Sequence, residues 1–276
     1  MKLSLPIIFS FFPFMGLCQE TATDTIQKTA IIDTILPLPY SISTAATDAN
    51  IERALSKSWE LDRQDQRGTF HIMEYQPMYI MPIRFTDCPT KQPQSLNPER
   101  PIPESRKYQN VEFKFQVSLK TKILQDAFAK GDVWVAFTQQ AYWQIYNGSL
   151  SRPFRELNYE PELIFTYPIN FSAGNLKLKM LGLSINHQSN GKEASHSRSW
   201  NRFILTALGK WERVTFNFQL WRRFTETTVE DDNPEIEDYI GRCRLTSIIP
   251  IGKTALSISM RNNLNFKHNR THIEAS

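Results

Sequence analysis

The chain has 276 residues, of which 41% are hydrophobic, 12% aromatic and 22% charged, with 32 basic side chains against 28 acidic ones. That apolar content can fill a sizeable core and excludes wholesale disorder. The net charge of +4 is modest and gathered in no basic block, so no nucleic-acid partner is expected. Mean hydropathy is −0.41, and nothing after residue 20 offers the roughly 18 consecutive apolar residues that a spanning helix needs. Two classes stay open: a soluble β-rich protein, and a membrane β-barrel, whose hydropathy is ordinary because lipid-facing and lumen-facing side chains alternate.

The chain opens on Met1 and Lys2, and the run from Leu3 to Leu17 is apolar but short for a span. Residues 1–18 therefore read as a secretory signal peptide. Cys18 after an apolar run also suits a lipoprotein signal, although Leu17 is a poor residue before a lipidated cysteine. Residues 19–68 read as a periplasmic N-terminal segment, in part disordered, with a short helix over 49–64 that Gly68 breaks.

From His71 onward the dominant period is two. His71–Phe85 is an extended candidate, and the proline-punctuated stretch 89–107 reads as a long loop. Val111, Phe113, Phe115, Val117 and Leu119 then alternate with Glu112, Lys114, Gln116, Ser118 and Lys120. Further candidates are Val133–Tyr146, Tyr159–Phe171, Leu176–Ser189, Ser199–Leu208, Trp211–Phe224, Ile236–Pro250 and Thr254–Phe266. This makes about nine strands, many longer than the usual five or six residues. Long strands joined by tight turns and longer loops in alternation suit a transmembrane barrel. A secreted sandwich or lipocalin-like barrel fits the pattern equally well.

The most informative stretch is Asn186 to Arg202. Leu181, Leu183 and Ile185 share one parity, and that row runs on into His187 and Ser189. On the next strand Asn201 shares its parity with Phe203, Leu205 and Ala207. Alternation therefore places His187, Ser189 and Asn201 on apolar faces. In a soluble fold they would form a buried polar network. On a barrel's outer wall they would face lipid, where polar groups are costly and suggest function. The chemistry suits the residue types. An imidazole can take a serine proton during attack on a carbonyl, and an asparagine carbonyl can orient the imidazole. The turn after Ser189 could offer the Gly191 amide to an oxyanion.

The blocks His187-Gln188-Ser189-Asn190-Gly191 and Ser197-Arg198-Ser199-Trp200-Asn201-Arg202 resemble the signature of the outer-membrane phospholipase A family. Further blocks agree in order: Trp59-Glu60-Leu61-Asp62, Thr138-Gln139, Pro153-Phe154-Arg155-Glu156 and Asp231-Asp232-Asn233-Pro234. The resemblance implies an all-β, antiparallel transmembrane barrel of about twelve strands, spanning residues 69–276 here, with the C-terminal strands beyond the present end. It also implies an outer-membrane enzyme that hydrolyses phospholipid esters (A1, A2 and lysophospholipase type) and acts as a calcium-dependent homodimer. Ser189 is then the nucleophile, His187 the general base and acid, Asn201 its orienting partner and Gly191 an oxyanion donor. Calcium is implied at the Ser197 side chain, the Lys192 carbonyl and Ser151 of the partner copy. Asp232 stands at a further acidic position, and Gln139 at the dimer interface. Lys192 replaces an expected arginine. Ala194 stands where the family often has an acid, for which Glu193 could substitute. The alternative reading is a non-catalytic barrel, a pore or structural protein, should missing strands prevent a working site.

Overall fold

A computed structural model of the chain describes residues 48–95, 97–192, 194–252 and 254–275. The signal segment and the lead up to residue 47 lie outside the described residues, as does Glu193. The described part is dominated by one antiparallel sheet of eleven strands. β1 (Ile72–Glu74), β2 (Tyr79–Phe85), β3 (Val111–Ala127) and β4 (Gly131–Trp143) come first. β5 (Phe154–Ala173), β6 (Leu176–Ser189), β7 (Ser199–Trp211) and β8 (Val214–Arg223) follow. β9 (Cys243–Ile251), β10 (Thr254–Asn262) and β11 (Thr271–Ala275) complete the sheet. From β3 onward every strand pairs with its neighbour in sequence, and β1 and β2 both pair with β3. β5 is 20 residues long and β3 is 17, lengths that a tilted membrane crossing accommodates.

Burial runs opposite to that of a soluble core. Leu181 is 47% exposed, Ile185 44% and Leu205 56%, whereas Glu112 and Ser118 are fully buried. Apolar side chains thus point outward and polar ones inward along the same strands. That choice separates the two classes the alternation left open: the outer face suits hydrocarbon and the inner face suits a polar lumen. No helix among the described residues is long and apolar enough to cross a membrane. Inside, ion pairs and hydrogen bonds link polar side chains. Lys122 lies 2.9 Å from Glu60 and 2.7 Å from Asp132. Glu162 accepts from Ser184 at 2.5 Å and from Tyr75 at 3.0 Å.

The loops divide by end. At one end the connections are short, as at 128–130, 174–175 and 212–213. The other end carries the long segments 86–110, 144–153, 190–198 and 224–242. At the short-turn end α1 (Asp48–Ser58) buries Ile51 against Ile248, and Glu52 meets Lys179 at 3.0 Å and Lys210 at 3.5 Å. Burial alone would raise the Glu52 carboxyl, but the two ammonium groups hold it below the usual carboxylate range.

Three expectations need correction. The sheet has eleven strands among the described residues, against the nine or so expected. The extended candidate His71–Phe85 is divided into β1 and β2, which share one position beside β3. The break falls at Pro77, which has no N–H for a ladder, and the Pro77 carbonyl accepts from Gln116 instead, at 2.7 Å. β11, beyond the last candidate Thr254–Phe266, pairs with β10. Finally, Ile236–Pro250 is not one strand: Ile236–Ile240 forms helix α2, and β9 starts only at Cys243. Glu237 anchors this helix by accepting from the Arg223 amide at 2.8 Å and from Arg242 at 3.2 Å. Gly241 follows with φ +101°, and any Cβ there would meet the Asn262 carbonyl at 2.9 Å.

Candidate active site

The site lies at the long-loop end of β6 and β7. Strand register sets His187 directly opposite Asn201. Both carry outward parity, and His187 Nδ1 lies 2.8 Å from Asn201 Oδ1. Ser189, two residues on, has the same parity and pairs with Tyr159 on β5 and Ser199 on β7. Its hydroxyl oxygen accepts the Gly191 N–H at 3.1 Å. Gly191 has φ +64°, and a Cβ there would stand 3.2 Å from the Tyr159 ring. Both the backbone conformation and the crowding demand glycine. The residues named from the sequence as nucleophile, base, orienting group and oxyanion donor are therefore gathered on one patch of the outer wall.

Glu226 is not marked by the sequence, and Asn190 only as part of the turn after Ser189. Asn190 is buried beneath the loop 190–198. Its Oδ1 accepts the Arg198 N–H at 3.0 Å and the Lys192 N–H at 3.3 Å, and its Nδ2 donates to the His196 carbonyl at 2.7 Å. One side chain thus draws the Lys192 and Arg198 amides onto a single acceptor. An Asn-Gly pair at a strand end is the only sequence signal for it. Glu226 accepts from Asn201 Nδ2 at 2.9 Å.

The residues named for calcium are partly brought together. Ser197 Oγ donates to the Asp232 carboxylate, as does Ser199 Oγ at 3.4 Å. The other Asp232 oxygen faces Arg100 at 3.3 Å, and its backbone carbonyl accepts from Ser95 at 2.9 Å. Lys192 belongs to the same loop, and its ammonium donates to the Arg155 carbonyl at 3.4 Å. Burial pushes that ammonium below its usual range; Glu156 opposes the shift, while Arg198, Arg106 and Arg155 add to it. Ser151 stands apart. It ends a short helical turn between β4 and β5 with φ 58°, is exposed, and bonds locally, its N–H to the Gly148 carbonyl at 3.1 Å. Gln139 is a polar residue in the outer row of β4, paired with Val117 on β3 and Tyr159 on β5. Hydroxyls, a carbonyl and a carboxylate are hard oxygen donors of the chemistry that calcium takes, and Asp232 turns one oxygen to the Ser197 and Ser199 hydroxyls.

Sheet, burial and outward polar cluster together define an outer-membrane protein of the β-barrel class. Comparison with known proteins adds the family. The phospholipase A1 family profile matches residues 55–276. A candidate phospholipase A1 of Neisseria meningitidis serogroup B is 39% identical over 206 residues, covering 72% of this chain and 53% of that protein. The phospholipase A1 of Klebsiella pneumoniae is 29% identical, covering 73% of this chain and 68% of that one. Among solved structures, the Salmonella typhi outer membrane phospholipase, a dimer with bound calcium, superposes with a TM-score of 0.66 at 25% identity. It covers 79% of this chain and 80% of its own. Outer membrane phospholipase A of Escherichia coli gives 0.55 at 29%, covering 60% and 68%. The chain belongs to the phospholipase A1 family. It spans about half the length of the Neisseria relative.

Proposed function

We propose that this chain hydrolyses acyl esters of phospholipids at the outer-membrane surface, with Ser189 as nucleophile. The observation that carries the reading is the 2.8 Å contact between His187 and Asn201 on the outer wall, in one row with Ser189. Lipid acyl chains pack against this wall, so an ester can reach the hydroxyl without entering the lumen.

In this mechanism Ser189 Oγ attacks the ester carbonyl carbon while His187 Nε2 takes the hydroxyl proton. Asn201 Oδ1 accepts from Nδ1–H and holds the ring in the tautomer that leaves Nε2 basic. The Gly191 N–H, which meets Ser189 Oγ in the resting site, turns to the carbonyl oxygen as it becomes negative. The tetrahedral species collapses, its C–O bond to the glycerol oxygen breaks, and His187 returns the proton to that oxygen. Water then attacks the acyl carbon and gives a proton to His187. The fatty acid leaves, and Ser189 Oγ recovers its proton.

Calcium would be held by Ser197 Oγ, the Lys192 carbonyl and Asp232, with Ser151 supplied by a second copy. When bound it supplies positive charge beside the developing oxyanion. Gln139 would form hydrogen bonds across a homodimer interface at lipid depth.

The direct test is fatty-acid release from phosphatidylcholine in mixed micelles by the folded chain in detergent. Release with calcium, loss on chelation and recovery on adding calcium back are expected. No release under any condition overturns the reading, and release indifferent to chelation removes the metal from it. Gly191→Ala should lower kcat by about tenfold, because a side chain at positive φ displaces the amide by strain of roughly 1–2 kcal/mol. Unchanged kcat in that variant would take Gly191 out of the oxyanion role.

A further inference from the structure

We infer that Glu226 is a positioning residue of this site: its carboxylate sets which way the Asn201 amide faces, and through it which nitrogen of His187 is left basic. The inference rests on the function proposed above and extends it to a residue in another loop.

Glu226 lies in the segment after β8. The Phe224 N–H donates to the Asn201 carbonyl at 2.8 Å, which ties this segment to β7 at the level of the site. Glu226 is half-buried, and its Oε1 accepts from Asn201 Nδ2 at 2.9 Å. Arg223 lies 3.7 Å from its other oxygen and 2.7 Å from Asp231, so the carboxylate is held from both sides.

A chain of donor and acceptor constraints follows. An ionised carboxylate only accepts, so the amide nitrogen of Asn201 must face Glu226. Asn201 Oδ1 must then face His187, as observed. A carbonyl oxygen also only accepts, so His187 Nδ1 carries the proton and Nε2 keeps its lone pair for the serine proton. Without Glu226 the Asn201 amide can rotate by half a turn at little cost. Its nitrogen would then donate to Nδ1, and the proton would move to Nε2, where it blocks general-base action. The carboxylate also places negative charge one residue behind the imidazole, which asparagine alone does not supply.

The test measures hydrolysis in the native full chain and in three variants, Glu226→Gln, Asn201→Asp and the two combined. Glu226→Gln, which can present either a donor or an acceptor, should lower kcat by about ten- to a hundredfold with KM unchanged, the pattern of a misassigned tautomer. The second arm repeats it in an Asn201→Asp background. There the side chain at 201 accepts from His187 by itself, and the neighbouring carboxylate of Glu226 only repels it. Glu226→Gln should now raise kcat. That reversal of sign is not expected from a merely structural role, which would lower activity in both backgrounds. Loss in both, or no loss in the native background, overturns the positioning role while leaving the proposed hydrolase intact. A native chain that releases no fatty acid overturns the hydrolase reading and the role of Glu226 with it.

Discussion

Ser189→Ala is expected to lower phospholipid hydrolysis by at least about a thousandfold, because removing a nucleophile leaves only the contribution of binding and the oxyanion donor. The same change should leave the fold unaltered. Ser189 ends β6, and its hydroxyl oxygen accepts from the Gly191 N–H. The ladder that fixes β6 against β7 runs through the backbone from Leu176–Trp211 to Ser189–Ser199 and involves no hydroxyl. Thermal unfolding followed by circular dichroism should therefore shift by no more than a stability change of about 0.5 kcal/mol, as for a substitution away from the core. The pairing of lost turnover with kept stability identifies a chemical role. Turnover close to native would reassign the nucleophile, and Ser195, Ser197 and Ser199 in the adjoining segment would be the next to test.

The period of two made the sheet legible, because an alternating wall leaves its mark on every strand. It also puts His187, Ser189 and Asn201 on the apolar faces, since parity passes unbroken from Leu181 to Ser189 and from Asn201 to Ala207, and the burial pattern then makes those faces the outer ones. What alternation cannot report is a contact between loops. Asp232 meets Ser197 because Ser95, Arg100 and Asn97 pull 86–110 and 224–242 together at the rim, Asn97 donating to the Val229 carbonyl at 3.0 Å. None of these pairs has a spacing that marks it. Helix α2 mimics a strand in sequence for a related reason. Ile236 and Ile240 look apolar enough for a wall, yet they pack beneath Trp200 and Trp221 at the rim.

The outward position of the cluster also explains an apparent cost. Polar side chains on a lipid-facing wall are destabilising unless paired. Here the His187–Asn201 contact continues to Glu226 and Arg223, and Arg223 continues to Asp231. His187 and Asn201 are thereby connected to the aqueous loop end. The same arginine joins the arm that orients the base to the turn that carries Asp232. If the proposed calcium site at Ser197 and Asp232 is occupied, its binding and the orientation of His187 are for this reason expected to be coupled rather than independent.

Glu112→Ala is expected to destabilise the protein by about 3–5 kcal/mol, the cost of breaking a buried ion pair from one side. Glu112 is fully buried. It accepts from Arg84 at 2.6 Å, from Arg155 at 2.7 and 2.8 Å, and from Gln144 at 3.2 Å. Both guanidinium groups also lie about 5 Å from the Tyr142 ring, Arg84 at 5.1 Å and Arg155 at 5.0 Å. Removing the carboxylate leaves two cations side by side with their shared counter-charge gone. Glu112→Gln keeps the volume and part of the hydrogen bonding, so it separates charge from packing. If charge dominates, the two variants should lose nearly the same stability; if only Ala is destabilising, the space matters more. The effect should reach the candidate site, because this network carries its neighbours. Gln144 closes onto Gln109 and Asn147 at the base of the loop that presents Ser151. The Arg155 carbonyl receives the Lys192 ammonium. Glu112→Gln should accordingly raise the calcium concentration needed for half-maximal hydrolysis while Ser189, His187 and Asn201 stay in register. An unchanged calcium requirement in a variant measurably less stable would show that the lumen network supports the wall without positioning the rim.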